Sequence, residues 1–562
     1  MEVVGSFQAL YQPTCYITVS RFTPSSQPPT NSTSSALISQ PISLRDKAAQ
    51  LVFARIGSNM PPPVTVGEDA DRVEALLARC PLGGLVVFNG QVPQTARVLA
   101  RLQARSAYPL LITADMERGV GQQVRGATVF PHAMAFAASG AEAEAAVEAA
   151  ARVTAREALA CGIHLTFGPV ADVNRNPRNP IIATRAFGVE AEGVARLVQA
   201  YLRGCRAEGL LTTAKHFPGH GGTSQDSHEA LPVVADAREV LDRTDLVPFR
   251  AAIEAGVDSV MTAHVAFPAL DPSGQPATAS RPILNGLLRD RLGFRGPVIT
   301  DSLLMGAVRA APDAVGAQAA TLVQAGVDIL LDMPDPEAAV AGLVQAVEEG
   351  RLAEARLAEA FGRVWALKQR LAERFAPTLF DDPARHVPLA EVGGPDHRAL
   401  ADDVARRAIH IQNGASMLPL DPQRVATDGL LVVLVKPHRS RLDPPEEPLG
   451  EAVRAVYPGA RYQEVGPEAG AAVFDALMEE AGQVRHVVVA MIVKPAAWQA
   501  FGLLPAQQHS VEALVARQPV VLASLGSPYV LDAFSGDGAR LCTYSDVAAS
   551  QRALVDVLAQ GT

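Results

Sequence analysis

Chemistry-bearing residues crowd one stretch of this 562-residue chain, residues 214–232, which reads AKHFPGHGGTSQDSHEALP. It supplies Lys215, His216, His220, Asp226 and His228, and its glycines and Pro218 mark it as a loop leaving an apolar run. Asp226 and His228 stand two apart. In a turning loop the carboxylate can orient the imidazole and raise its pKa, because a neighbouring anion favours the protonated ring. Such a pair can deliver and recover a proton near neutral pH. A second segment, ITDSLLMGA (299–307), sets Asp301 at the end of an apolar run and ahead of a helical stretch. A carboxylate fixed there is well placed as a nucleophile. Retaining glycoside cleavage needs a nucleophile and a separate proton donor, usually two carboxylates; here the donor would be the His–Asp pair.

Positioning these groups falls to a rhythm of short β-branched runs and Ala/Glu/Arg/Leu-rich helical stretches. The runs are 83–88, 109–115, 163–173, 210–217, 258–265, 296–301 and 327–333. Continuous apolar runs separated by helices predict parallel strands covered on both faces. Seven strands are visible and an eighth is weak or early, which suits an α/β protein with a (β/α)8 TIM-type barrel better than an open sheet. Ser43 is expected to cap a first helix, RDKAAQLVFARI. Asp115, Asp172, Lys215 with His216, His264 and Asp301 all sit at strand ends, so one rim of the barrel would gather them. The expected organisation is a flexible Ser/Thr/Pro-rich leader (1–42), the barrel (43–375) and a proline-bearing linker (376–400). A smaller α/β domain with an open parallel sheet follows (401–562), its strands at 430–437, 486–495, 519–526 and 539–545. That second domain has neither G-x-G-x-x-G nor a P-loop, so no nucleotide is assigned to it.

Five strand-end segments, taken together and in order, resemble bacterial family 3 β-N-acetylglucosaminidases of the two-domain, Asp–His dyad type. They are ADMERG (114–119), GPVADVNRNPRNPIIATRAFG (168–188), the loop at 214–232, VMTAHV (260–265) and ITDSLLMGA. The resemblance covers residues 43–375. It implies retaining exo-hydrolysis of terminal β-linked N-acetylglucosamine, as in peptidoglycan or chitin fragments, with no cofactor and no metal. It implies Asp301 as nucleophile, His228 as general acid/base and Asp226 as its orienting partner. Asp115, Arg185, Lys215 and His216 would hold the sugar, with Asp172 and His264 as weaker carry-overs. The family's arginine beyond the D-x-E segment is replaced by Gln123, and Arg118 or Arg125 is the expected substitute.

Other readings compete. The imidazoles and Asp226 could ligate zinc, but the spacing fits no zinc motif and the glycines make a loop, not an H-x-x-x-H helix. Asp301 alone reads as a helix cap, and Lys215 alone could be structural or a Schiff-base lysine. A phosphorylase that passes the glycosyl group to phosphate, a β-glucosidase and a sugar-binding scaffold without activity remain as alternatives. A net charge of -10 disfavours nucleic acid. The five dispersed cysteines argue against a disulfide framework and for a reducing, cytoplasmic setting. No run is long and apolar enough for a membrane span. The expected partner is a small carbohydrate, with a homodimer left open.

Overall fold

Parallel strands that follow one another along the chain must be joined by crossover connections, and repetition of that unit closes on itself here. The computed structural model describes residues 42–225, 231–375, 388–439, 446–495, 499 and 501–561. The barrel strands are β1 (Val52–Ile56), β2 (Gly84–Val87), β3 (Leu111–Ala114), β4 (Leu165–Thr166), β5 (Leu211–Phe217), β6 (Ser259–Thr262), β7 (Val298–Thr300) and β8 (Leu330–Leu331). They are hydrogen-bonded in chain order, all parallel, with β8 also beside β1. A parallel bridge between Ile299 and Ile329 closes the ring. β2, β3, β5, β6 and β7 are buried at every position, as parallel strands under helices must be.

The start of the barrel corrects the sequence reading. Ser43 does cap a helix, its Oγ accepting from Asp46 N at 3.0 Å, but that helix ends at Ala49. Val52–Ile56, read as its continuation, is β1, the strand that appeared weak or early.

The floor of the barrel is held by ionic groups rather than by apolar contact alone. Fully buried Asp328 accepts from Arg289 at 2.7 Å, Arg356 at 2.6 Å and Arg363 at 3.1 Å, and from Val298 N at 2.9 Å. Lys368, also fully buried, donates to Gln50 Oε1 at 2.5 Å. Burial alone pulls its pKa down to about 7.

The second domain is a six-stranded sheet: β9 (His410–Asn413), β10 (Leu430–Val435), β11 (Arg461–Val465), β12 (His486–Met491), β13 (Val521–Ser524) and β14 (Arg540–Cys542). Its order is β9-β14-β13-β12-β10-β11. Five strands are parallel, but the edge strand β9 runs antiparallel to β14, so the sheet is mixed. Of the expected linker, residues 376–387 lie outside the described residues. The rest is already folded: helix Pro395–Ala408 begins within it, and Gly393 N and His397 Nδ1 reach Glu157 on the barrel at 2.8 and 2.7 Å. Glu157 is 1% exposed and also takes Thr128 N at 2.8 Å and Thr128 Oγ1 at 2.6 Å. Gly393 fits because a Cβ there would lie 2.1 Å from Gly126 O. The expected leader falls outside the described residues up to Pro41. Among the described residues no helix is long and apolar enough to cross a membrane.

Candidate active site

At the carboxyl ends of β3, β5 and β7 the chain turns outward, and its polar side chains meet in one cleft of about 1400 Å³. Asp115, just past β3, accepts from Lys215 Nζ at 2.6 Å. Glu117 lies 2.6 Å from the same ammonium and takes Arg185 in a fork, Nε at 2.9 Å and Nη2 at 2.8 Å. Arg185 arrives from the long β4–β5 connection and is steadied by Ile181 O at 2.8 Å. Burial works to raise the Glu117 pKa, but Arg185 and Lys215 outweigh it and hold the carboxyl well below its ordinary range. Burial works to lower Lys215, and Asp115 and Glu117 overcome it, so the amine stays charged. The result is a rigid alternation of donors and acceptors, suited to several neighbouring hydroxyls of a sugar.

Asp172 is fully buried beneath this layer. It accepts from His216 Nδ1 at 2.7 Å and from His220 N at 2.7 Å. That bond fixes the proton on Nδ1 and turns Nε2 of His216 toward Asp301 Oδ2, 3.9 Å away. Asp301 follows β7 directly. Ser302 N donates to its Oδ1 at 2.7 Å, leaving Oδ2 on the side of His216. Burial would raise the Asp301 pKa, but the charges of His216, His264 and Lys215 with the Ser302 hydrogen bond bring it down to about 2. The carboxylate is therefore ionised at neutral pH and available as a nucleophile.

Asp115, Arg185, Lys215, His216 and Asp301 thus line one cleft. The other expected contacts do not. Asp172 and His264 are buried behind the lining; His264 Nδ1 meets Thr278 Oγ1 at 2.7 Å and its Nε2 lies 3.2 Å from Ser302 O. Arg125 does not substitute for the missing arginine: it sits on a two-residue strand and is exposed outside the cleft. Gln123 is turned to Asn59 Nδ2 at 3.0 Å, whereas Arg118 does face the cleft. Asp226 and His228 lie outside the described residues. The stem that leads to them is closely seated: Asn179 Nδ2 donates to His220 O at 2.8 Å, Asn176 Nδ2 donates to Thr223 O at 2.9 Å, and a Cβ on Gly221 would lie 1.7 Å from Val173 O.

Glu117, Arg55 and Asp332 also line the cleft and were not foreseen. Glu117 stands inside a segment already singled out, two positions past Asp115. Arg55 of β1 pairs with Asp332 beyond β8, its Nε 2.7 Å from Oδ1, and Ser302 Oγ donates to Asp332 Oδ2 at 2.7 Å.

Residues 43–367 match the family model described as "Glycosyl hydrolase family 3 N terminal domain". The chain belongs to glycosyl hydrolase family 3. Among curated proteins it is similar to a β-N-acetylglucosaminidase/β-glucosidase of Cellulomonas fimi, 34% identical over 372 residues. It is also similar to a β-hexosaminidase A of Pseudoalteromonas piscicida, 32% identical over 397 residues. These alignments take in 64% and 65% of this chain and 64% of each relative, so the chain matches a little under two thirds of their length. Its fold is similar to that of a family 3 β-N-acetylglucosaminidase from Paenibacillus sp. str. FPU-7, with a TM-score of 0.81 and 35% identity, covering 93% of this chain and 97% of that one. The likeness spans both the barrel and the second domain.

Proposed function

We propose that this family 3 protein is a retaining exo-β-N-acetylglucosaminidase that removes terminal β-linked N-acetylglucosamine from peptidoglycan or chitin fragments. Asp301 attacks the anomeric carbon and forms a glycosyl ester while His228, oriented by Asp226, protonates the leaving oxygen. Water, deprotonated by His228, then opens the ester and releases the sugar with its configuration retained. Asp115, Glu117, Arg185, Lys215 and His216 hold the sugar's hydroxyls, and no cofactor takes part.

The observation that carries the reading is the placement of Asp301 Oδ2 within 3.9 Å of His216 in the cleft that Lys215 and Arg185 line. A low-pKa carboxylate beside a hydroxyl-binding network is what a glycosyl-enzyme route requires. The names of the similar proteins from Cellulomonas fimi and Paenibacillus favour N-acetylglucosamine as the sugar.

The test is hydrolysis of 4-nitrophenyl N-acetyl-β-glucosaminide, with the anomer first released read by NMR. Release of the β-anomer, and loss of turnover in Asp301→Ala with folding intact, are expected. Release of the α-anomer, or full activity in Asp301→Ala, would overturn the mechanism. Sugar 1-phosphate formed in phosphate buffer would make the protein a phosphorylase, and a preference for the β-glucoside would change the sugar.

A further inference from the structure

In an open α/β sheet the ligand crevice lies outside the carboxyl ends of the strands, where successive connections leave on opposite sides. In the second domain that point falls between β10 and β12. The chain runs from β10 to the edge strand β11, then returns to the other side of β10 as β12. Val435 lies opposite Met491, so the two strands end side by side. β10 ends at Val435 and runs straight into Lys436-Pro437, and β12 is followed, after Ile492, by Val493-Lys494-Pro495. Lys436 and Lys494 both line the cleft that holds Asp301, and Arg118 lines it from the barrel.

Of the acids at this wall Glu446 is exposed, whereas Glu464 and Asp546 are engaged by the two lysines. Glu464 has Oε2 on Lys436 at 2.6 Å and Oε1 on Tyr462 Oη at 2.8 Å. Asp546 has Oδ2 on Lys494, and its Oδ1 is buried. His132, which also lines the cleft, is held neutral by burial, with its pKa near 3. Each ammonium has three donors and spends one on its carboxylate. Arg118 makes no side-chain hydrogen bond or ion pair among the described residues, although its charge acts on Asp546. Apart from the exposed Glu446, what these groups present to the cleft is donors and positive charge. A neutral polyol would need acceptors as well.

We infer that the crevice between β10 and β12 is a leaving-group subsite in which Lys436, Lys494 and Arg118 bind a carboxylate carried by the aglycone. This rests on the proposed glycosidase reading and extends it: the barrel grips the terminal sugar, and the second domain selects what is attached to it by charge.

The experiment compares kcat/KM of the full chain for N,N′-diacetylchitobiose and for the same disaccharide O-carboxymethylated on its reducing sugar. The native chain should favour the charged substrate, and the preference should shrink as NaCl rises from about 0.05 to 0.5 M. Lys436→Met and Lys494→Met should each cut the charged-to-neutral ratio by about 5–10-fold, the low end for a charge-assisted hydrogen bond at a partly exposed site. Glu464→Gln, which releases Lys436, should raise the ratio. A ratio unmoved in both lysine variants, equal losses on the two substrates, or a folded Glu464→Gln with no gain would each overturn the subsite. So would sugar 1-phosphate formation that depends on Lys494, since inorganic phosphate would then be the anion. If the native chain cleaves neither disaccharide, the glycosidase reading fails by itself. The crevice is then judged by calorimetric titration with O-carboxymethyl N-acetylglucosamine: binding weakened by Lys494→Met supports it, and binding indifferent to that change sinks it.

Discussion

Replacing Glu117 by Gln keeps the shape of the side chain and removes the charge that joins Arg185 to Lys215. Removing one member of a buried ion pair costs about 3–5 kcal/mol, because the remaining charge is stranded. Two features reduce that figure here. Lys215 keeps Asp115 at 2.6 Å, and the Arg185 side chain is 21% exposed at the cleft. The expected loss is therefore about 2–4 kcal/mol, read as a lower midpoint in urea at unchanged slope. The sign with pH follows from the depressed Glu117 pKa. Its stabilisation is present above the unfolded value, about 4.3, and fades as pH falls through the lower folded value, so the gap between native and variant should close in acid. Catalysis should suffer too, since displacing the two cations by about 1 Å costs on the order of 10²-fold in kcat/KM. A Glu117→Gln protein within about 0.5 kcal/mol of native, the range of an ordinary surface change, would refute the account of the network.

Asp301→Asn should reduce kcat by roughly 10³–10⁵-fold with little change in the unfolding midpoint, checked by aryl-glycoside kinetics beside circular dichroism. Because Asp301 is held near pH 2, the acid limb of kcat/KM above about pH 4 should belong to another group and persist when Ser302, which donates to the carboxylate only through its backbone, is changed to Ala. Asn179→Ala removes the bonds to His220 O, Ile181 N and Ile182 N, and should cost about 2–4 kcal/mol in urea unfolding together with a fall in kcat. Asp328→Asn leaves three arginines around one neutral amide and should destabilise by at least about 3–5 kcal/mol, while the fraction that folds keeps its KM. Lys368, at about 7 when folded and about 10.4 when unfolded, should make the native chain gain stability from pH 7 to 10 relative to Lys368→Met, by up to about 1.4 kcal/mol per pH unit.

How much of this could be read beforehand differs from element to element. Seven barrel strands announced themselves because a parallel strand under helices is apolar on both faces, and local composition records that. β1 did not. RDKAAQLVFARI contains no Gly or Pro, and its Arg, Lys, Ala and Gln favour helix; only pairing with β2 and β8, remote in sequence, makes its second half a strand. Arg55 was lost with it. β9 and β11 escaped for a related reason: both are edge strands with exposed or half-exposed positions, so they lack a continuous apolar signature. Within the site, sequence reveals which residues follow a strand but not how deep each sits along the barrel axis. Asp115 and Asp301 reach the cleft, while Asp172 and His264, at equivalent strand ends, stop one layer below it. Arg125 shows a third limit, since proximity to a motif says nothing of which way a side chain turns.

Glu157 has a consequence for anyone who would cut this chain into parts. It collects four hydrogen bonds, two from the barrel's own Thr128 and two from the first turns of the C-terminal half. A barrel excised at residue 375 would keep the carboxylate and lose half of its donors, with the apolar surface under helix Pro395–Ala408 newly wetted. Such a fragment should be sticky and short-lived rather than a minimal enzyme. The same clamp limits breathing: tilting the two halves apart would first have to break the bonds of Gly393 and His397 to that acid.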